Sequence, residues 1–97
     1  MKIIWSPLAI DRITEIAEYI SADSPISAER WIDSIFKKVS RLKKYPGSGR
    51  IVPELNIPRI REIISGNYRI IYRVKQESIV VLTVRHGRQI LPEEETK

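Results

Sequence analysis

The sequence predicts an α+β domain of order β-α-α-β-β-β, with an N-terminal helical hairpin packed on one face of a twisted antiparallel sheet. Three observations carry this. Two Ser-Pro pairs, Ser6-Pro7 and Ser24-Pro25, each open a stretch whose apolar residues recur every three or four positions. After Pro58 that period drops to two. The alternating runs are separated by short breaks rich in turn-forming residues.

Lys2-Ile3-Ile4-Trp5 is β-prone, being rich in β-branched and aromatic side chains, and residues 1–5 are placed as a fourth, edge strand. Ser6 then suits a helix N-cap, with Pro7 at the first helical position, where its missing N–H costs nothing. Ala9, Ile13, Ile16, Ala17 and Ile20 form the apolar stripe of a helix over 7–22, while Asp11, Arg12, Glu15 and Glu18 fall on the other faces. Ser24-Pro25 repeats the start signal. Ala28, Trp31, Ile32, Ile35, Phe36, Val39 and Leu42 form the second stripe, which places Trp31 and Phe36 in the core; Trp5, on an edge strand, is less enclosed. Lys37, Lys38, Arg41, Lys43 and Lys44 crowd the C-terminal end, where cations suit the negative pole of the helix dipole, and Tyr45-Pro46-Gly47 stops it. About three residues join the helices, which makes them an antiparallel hairpin.

Residues 46–58 hold three Pro and two Gly and read as a loop that packs through Ile51, Val52 and Leu55. Residues 59–65, 68–74 and 79–85 then form an antiparallel meander. All 97 residues make one domain, with 91–97 expected as a polar, frayed tail.

Composition excludes several classes. Without cysteine there is no disulfide framework, zinc knuckle or thiol nucleophile, and no metal or other cofactor is expected. No apolar run approaches the ~18–20 residues of a membrane span, and the N-terminus lacks a signal-peptide pattern. A cytoplasmic protein with no membrane partner is the expectation. The net charge of +5 is unevenly spread. Residues 1–36 carry Lys2, Arg12 and Arg30 against six acidic side chains; the other fourteen Lys and Arg lie beyond, against the remaining six. Such a field attracts nucleic acid or an acidic protein.

Strand parity sharpens this. Tyr68, Ile70, Tyr72 and Val74 share one face of their strand, and Arg69, Ile71 and Arg73 the other. Val80, Leu82 and Val84 are placed toward the core, with Ile79, Val81, Thr83 and Arg85 opposite. Arg59, Arg61 and Ile63 alternate with Ile60, Glu62 and Ile64. If the helices cover the more apolar face, Arg59, Arg61, Arg69, Arg73 and Arg85 project together from the bare one. A single bulge would invert part of this pattern. The same pattern also suits a sheet face kept soluble by charge.

His86 is the only histidine and by parity continues the core row. It reads either as a packed strand-end residue or as a lone acid/base group, with no second His or Cys to build a triad. Glu54 and Glu62 are the mid-chain carboxylates able to act as a base, though Glu62 equally suits neutralising a neighbour.

Several motifs then occur in a telling order. Trp5-Ser6-Pro7 opens one helix and Ala28 the next. Pro46-Gly47 and Gly49-Arg50 lie in the loop. Arg61-Glu62, Tyr68-Arg69-Ile70-Ile71-Tyr72-Arg73 and Val84-Arg85-His86-Gly87-Arg88 follow. Over roughly residues 3–90 this resembles the RelE/ParE superfamily, the toxic halves of bacterial type II toxin–antitoxin modules. The resemblance implies the same α+β architecture. It also implies a cognate antitoxin that neutralises the toxin and contacts operator DNA on the complex's behalf. Two activities divide the superfamily. ParE-like members inhibit DNA gyrase, and the Arg85–Arg88 segment with the 46–50 loop resembles that branch, adding Arg88 to the partner-binding arginines. RelE-like members are metal-independent endoribonucleases that cut mRNA on the ribosome. On that alternative Arg61 and Arg69 match the phosphate-holding positions, with Arg85 and His86 as the remaining catalytic candidates. RelE-like enzymes commonly place a tyrosine near the C-terminus, and residues 89–97 contain none. The ParE-like reading is favoured. A third possibility is a degenerate toxin that only binds its antitoxin and DNA.

Overall fold

The computed structural model describes residues 1–97. Its elements are β1 (Lys2–Trp5), α1 (Pro7–Ser21), α2 (Pro25–Ser40), β2 (Arg50–Ile51), β3 (Ile60–Ser65), β4 (Tyr68–Val74) and β5 (Ser78–His86), with 3-10 turns at Arg41–Lys43 and Glu93–Thr96. Both helix starts follow from their caps. The Ser6 hydroxyl accepts from the Ala9 N–H and the Ser24 hydroxyl from the Ser27 N–H, each with Pro next in line. Ser6 Oγ also donates to the Leu82 carbonyl, tying the start of α1 to β5.

The two helices pack on a five-stranded sheet of order β1-β5-β4-β3-β2. This is the expected α+β arrangement, with two differences. The sheet is mixed, because β1 runs parallel to β5, Ile3 beside Ile79 and Trp5 beside Val81. The two helices follow β1 before the rest of the sheet, a connection long enough for parallel pairing. The second difference lies in the loop, where Arg50–Ile51 pairs with β3 as a short extra strand. The β3–β4 hairpin turns through Gly66, at φ +57°. A side chain there would be strained, which is why glycine occupies the first turn position.

One bulge sets which way β5 faces. Ile71 pairs with Thr83 but Tyr72 with Val81, leaving Leu82 as the extra residue. Ile79 and Val81 therefore point at the helices before the bulge and Val84 after it. This corrects the expected rows: Val80 and Leu82 face away from the helices, while Ile79 and Val81 are core. The main core joins Ala9, Ile13, Ile35, Val39 and Leu42 to Ile70, Tyr72, Ile79, Val81 and Val84. Each fully buried aliphatic side chain there contributes roughly 1.5–3 kcal/mol. Phe36, expected inside, is 42% exposed and stacks on Trp5 at 4.6 Å between ring centroids.

The opposite sheet face is not bare. Val52, Ile60, Ile71, Leu82 and Leu91 form a second apolar cluster there. The 52–58 loop supplies Val52, and Leu55 packs alongside it. The C-terminal segment supplies Leu91, and Glu95 and Thr96 are buried in the Glu93–Thr96 turn. The expectation of a frayed tail over 91–97 is thus corrected: an apolar anchor at Leu91 and a buried ion pair at Glu95 hold it down.

Candidate functional site

The five arginines expected on one open face divide. Register decides it: Arg61 pairs with Tyr72 and shares the helix side of the sheet with it, whereas Glu62 pairs with Ile71 and faces away from the helices. Arg61 Nη1 donates to the Gly49 carbonyl at 2.9 Å. Arg59 is exposed just before β3. Only Arg69, Arg73 and Arg85 project from the face opposite the helices. The parity assigned to residues 59–64 was inverted because Ile60, not Ile63, belongs to the second apolar cluster.

Those three arginines are occupied. The Arg69 guanidinium grips Glu54 with Nη1 and Nη2, at 2.7 and 2.9 Å, and donates Nε to Glu62 at 2.7 Å. This fork geometry is the strong form of an arginine–carboxylate pair. The hydrogen bond from Arg69 holds the Glu54 carboxyl below its ordinary range, and the bond to Glu54 raises Arg69 in turn. Glu62 has no exposed side-chain surface and also accepts from Arg50 Nε. Of the two mid-chain carboxylates, then, both serve as partners of arginine. Arg85 donates to Glu95 at 2.9 Å and Arg73 to the Thr96 carbonyl at 2.8 Å.

Tyr72, the last tyrosine in the chain, is also committed. Its hydroxyl donates to the Pro46 carbonyl at 2.9 Å and accepts from the Gly49 N–H at 3.0 Å. Burial pushes the hydroxyl above its ordinary value. Gly49 has no room for a side chain: an added Cβ would lie 2.5 Å from the Tyr72 oxygen and 2.6 Å from the Glu62 carbonyl. The 46–50 loop is therefore locked onto β3 and β4 by a backbone approach that only glycine allows.

His86 lies on the helix side at the end of β5. Its ring meets Tyr68 edge-on at 5.4 Å, and Tyr68 meets Trp31 at 5.2 Å. Nδ1 accepts from the Arg88 N–H, which leaves Nε2 to carry the proton of the neutral ring. A groove of about 310 Å³ brings Tyr68 and His86 together with Glu15 and Tyr19 of α1. Tyr19 and Glu15 were absent from the sequence-based candidates. They lie on the polar side of α1, and no local spacing links them to residue 86. Arg88 is exposed in the turn after β5.

The unpaired positive charge lies elsewhere. Lys37, Lys38, Arg41, Lys43 and Lys44 form no ion pair. Lys38 and Arg41, with Arg50 and its partner Glu62, line a groove of about 420 Å³ between the end of α2 and the locked loop. No helix is long and apolar enough to cross a membrane.

Comparisons with known proteins agree with this fold. Residues 3–91 match the family model described as ParE toxin of type II toxin-antitoxin system, parDE. "Putative toxin Y4kP" of Sinorhizobium fredii is 35% identical over 94 residues, covering 95% of this chain and 94% of that protein. "Toxin RelE2" of Caulobacter vibrioides is 26% identical over 90 residues, covering 92% and 98% respectively. Among solved structures, a chain of the chromosomal ParDE TA system from P. aeruginosa superposes with a TM-score of 0.73 at 21% identity, covering 89% of this chain and 95% of that one.

Proposed function

The chain belongs to the ParE toxin family of type II toxin–antitoxin systems, and on that premise we propose that it acts by binding and inhibiting DNA gyrase, held in check by a cognate antitoxin. One observation carries the choice of target. Of the two expected phosphate holders, Arg69 is spent on Glu54 and Glu62 and Arg61 donates to the Gly49 carbonyl, while Arg85 is spent on Glu95. Ribonuclease chemistry needs such donors free to meet charge that develops in the transition state. An inhibitor that works by binding needs only a shaped surface, and Arg59, Arg88 and the cations around the α2 groove remain available for one.

An antitoxin accounts for the exposed apolar groups. Tyr19 (78% exposed), Ile26 (61%) and Ile10 (42%) stand in water along the helical hairpin. They give an antitoxin apolar side chains to cover. Operator DNA would be reached through the antitoxin, and the cytoplasm, where gyrase and its DNA lie, is the place of action.

A second reading keeps one specific support. The groove that gathers His86, Tyr68, Tyr19 and Glu15 holds acid/base groups that a metal-independent endoribonuclease could use, with Arg88 as a cation of the adjoining turn. The deciding experiment adds purified toxin to a gyrase supercoiling reaction and, in parallel, to an in vitro translation reaction. Blocked supercoiling with intact message supports gyrase inhibition. Cleavage of message at codon-defined positions, with supercoiling unaffected, overturns it in favour of the nuclease.

A further inference from the structure

The face roofed by the C-terminal segment holds a cage of which the nuclease reading uses only Arg85. Glu95 Oε2 accepts from Arg12 Nη2 at 2.8 Å and from Arg85 Nη1 at 2.9 Å, and Oε1 accepts from the Thr83 hydroxyl at 2.8 Å. One residue on, the Thr96 carbonyl accepts from Arg73. Three guanidinium groups and a hydroxyl, drawn from α1, β4 and β5, thus close on a single carboxylate and one carbonyl.

Donors exceed acceptors in this cage. The Nε atoms of Arg12, Arg73 and Arg85 are all shut off from solvent, and none has a hydrogen-bond partner. The only other buried side-chain polar atom in that state is Trp31 Nε1, so the deficit is concentrated on these arginines. Orphaned buried donors are costly, and native structures hold few of them. Charge is short as well: Arg85 pairs with Glu95 alone, Arg12 divides itself between Glu95 and the exposed Glu15, and Arg73 has no carboxylate. A phosphoryl group carries more oxygens than a carboxylate, spread around a tetrahedral centre, and guanidinium forks match it well.

We propose that Arg12, Arg73, Thr83 and Arg85 form a binding site for a phosphoryl group, and that Glu95 is its built-in occupant, carried on a strap that swings out when an external phosphate enters. The strap is short and is pinned at two places, Leu91 and the buried Glu95–Thr96 end. Glu93 and Glu94 on the same turn are exposed, Ile90 before it is 87% exposed, and Leu91 is its apolar anchor. A short terminal segment pinned at two places can open locally without unfolding the rest. While the strap is closed, the apparent affinity for phosphate is reduced by the fraction of molecules that are open. Removing the Glu95 carboxylate lifts that handicap.

The test uses the full chain, with inorganic phosphate and, separately, a single-stranded hexathymidylate as probes, titrated calorimetrically at matched ionic strength. Glu95→Ala should bind at least one probe about tenfold more tightly than the wild type, the fold-change expected if the closed state is the main handicap. A gain for inorganic phosphate identifies a free phosphate ligand, and a gain confined to the oligonucleotide identifies a nucleic-acid backbone. Glu94→Ala removes the same charge from the exposed side of the turn and should show no gain. Arg85→Ala in the Glu95→Ala background should abolish it. Equal binding by wild type and Glu95→Ala overturns the proposal, as does an equal gain in Glu94→Ala or a gain that survives loss of Arg85. Should Glu95→Ala not fold, amide exchange of the wild type decides: whichever probe binds should speed exchange across Glu93–Thr96 several-fold, and unchanged exchange with both overturns the proposal.

Discussion

Arg69 and Glu62 sit diagonally across the β3–β4 pair with Nη2 and Oε1 2.6 Å apart, and their side chains retain only 8% and 0% of their solvent exposure. Two charges so enclosed hold each other in place, since either alone would face a large desolvation cost. Arg69→Ala should therefore lower stability by about 3 kcal/mol, the cost of leaving Glu62 buried without its main partner. Replacing both, as Arg69→Met with Glu62→Leu, should recover most of the loss. Urea denaturation of the single and double variants measures this. A loss below about 1 kcal/mol for the single variant would mean that water reaches Glu62.

The locked loop gives a second expectation. Gly49→Ala drives a methyl group into the Tyr72 hydroxyl and the Glu62 backbone, neither of which can yield freely. It should cost about 2 kcal/mol or more, in the range of overpacked cores. Tyr72→Phe keeps the ring but strands the Gly49 N–H and the Pro46 carbonyl, and should cost about 1–3 kcal/mol. Thermal or urea midpoints compare the two, and unchanged midpoints would place the loop free of the sheet.

Acid should weaken the fold through two carboxylates. Glu54 lies below its ordinary value of 4.5 chiefly through the Arg69 hydrogen bond. For Glu95, burial acts to raise the value, but the hydrogen bonds from Arg12 and Thr83, with the charges of Arg85 and Arg12, outweigh it and leave it lowered. A carboxyl lowered by folding adds stability above its unfolded value and loses it as pH falls through the folded one. The melting temperature should therefore fall as pH drops below about 4.5, with little further change from these groups above about pH 5, where their stabilisation is fully present. Glu54→Gln should flatten part of that acid limb. An identical limb in wild type and variant would show that the Arg69–Glu54 fork does not form in solution.

His86 separates the two target readings. In the gyrase-binding reading it is an aromatic neighbour of Tyr68, and His86→Ala should keep growth arrest while costing about 0.5–1.5 kcal/mol from the lost ring contact. Induced expression in a host without the antitoxin reads this out directly. Complete loss of arrest in a variant that still folds would favour the nuclease.

Much of the fold was legible along the chain because it depends on local rules. Two capped helix starts, the change of period at Pro58 and the Gly66 turn each act within a few residues, and the helical hairpin, the meander and the edge strand follow from them. The motif order from Trp5 to Arg88 pointed to the toxin family in the same way. Tertiary structure decided what each strand faces and what each charge meets. The bulge at Leu82 reversed half of β5, and the register of β3 against β4 sent Arg61 to one face and Glu62 to the other. Parity turns over with a shift of one residue, and that shift is set by pairing across the sheet. The partners of the arginines were equally out of reach. Glu54 and Glu95 lie in segments without periodic pattern, and they meet Arg69, Arg85 and Arg12 only because the loop and the C-terminal turn fold over the same apolar patch. The sequence by itself determined the order of elements and the family. The folded chain alone decided which of its cations stay open to a partner, because charge pairing depends on distances in space that residue spacing does not encode.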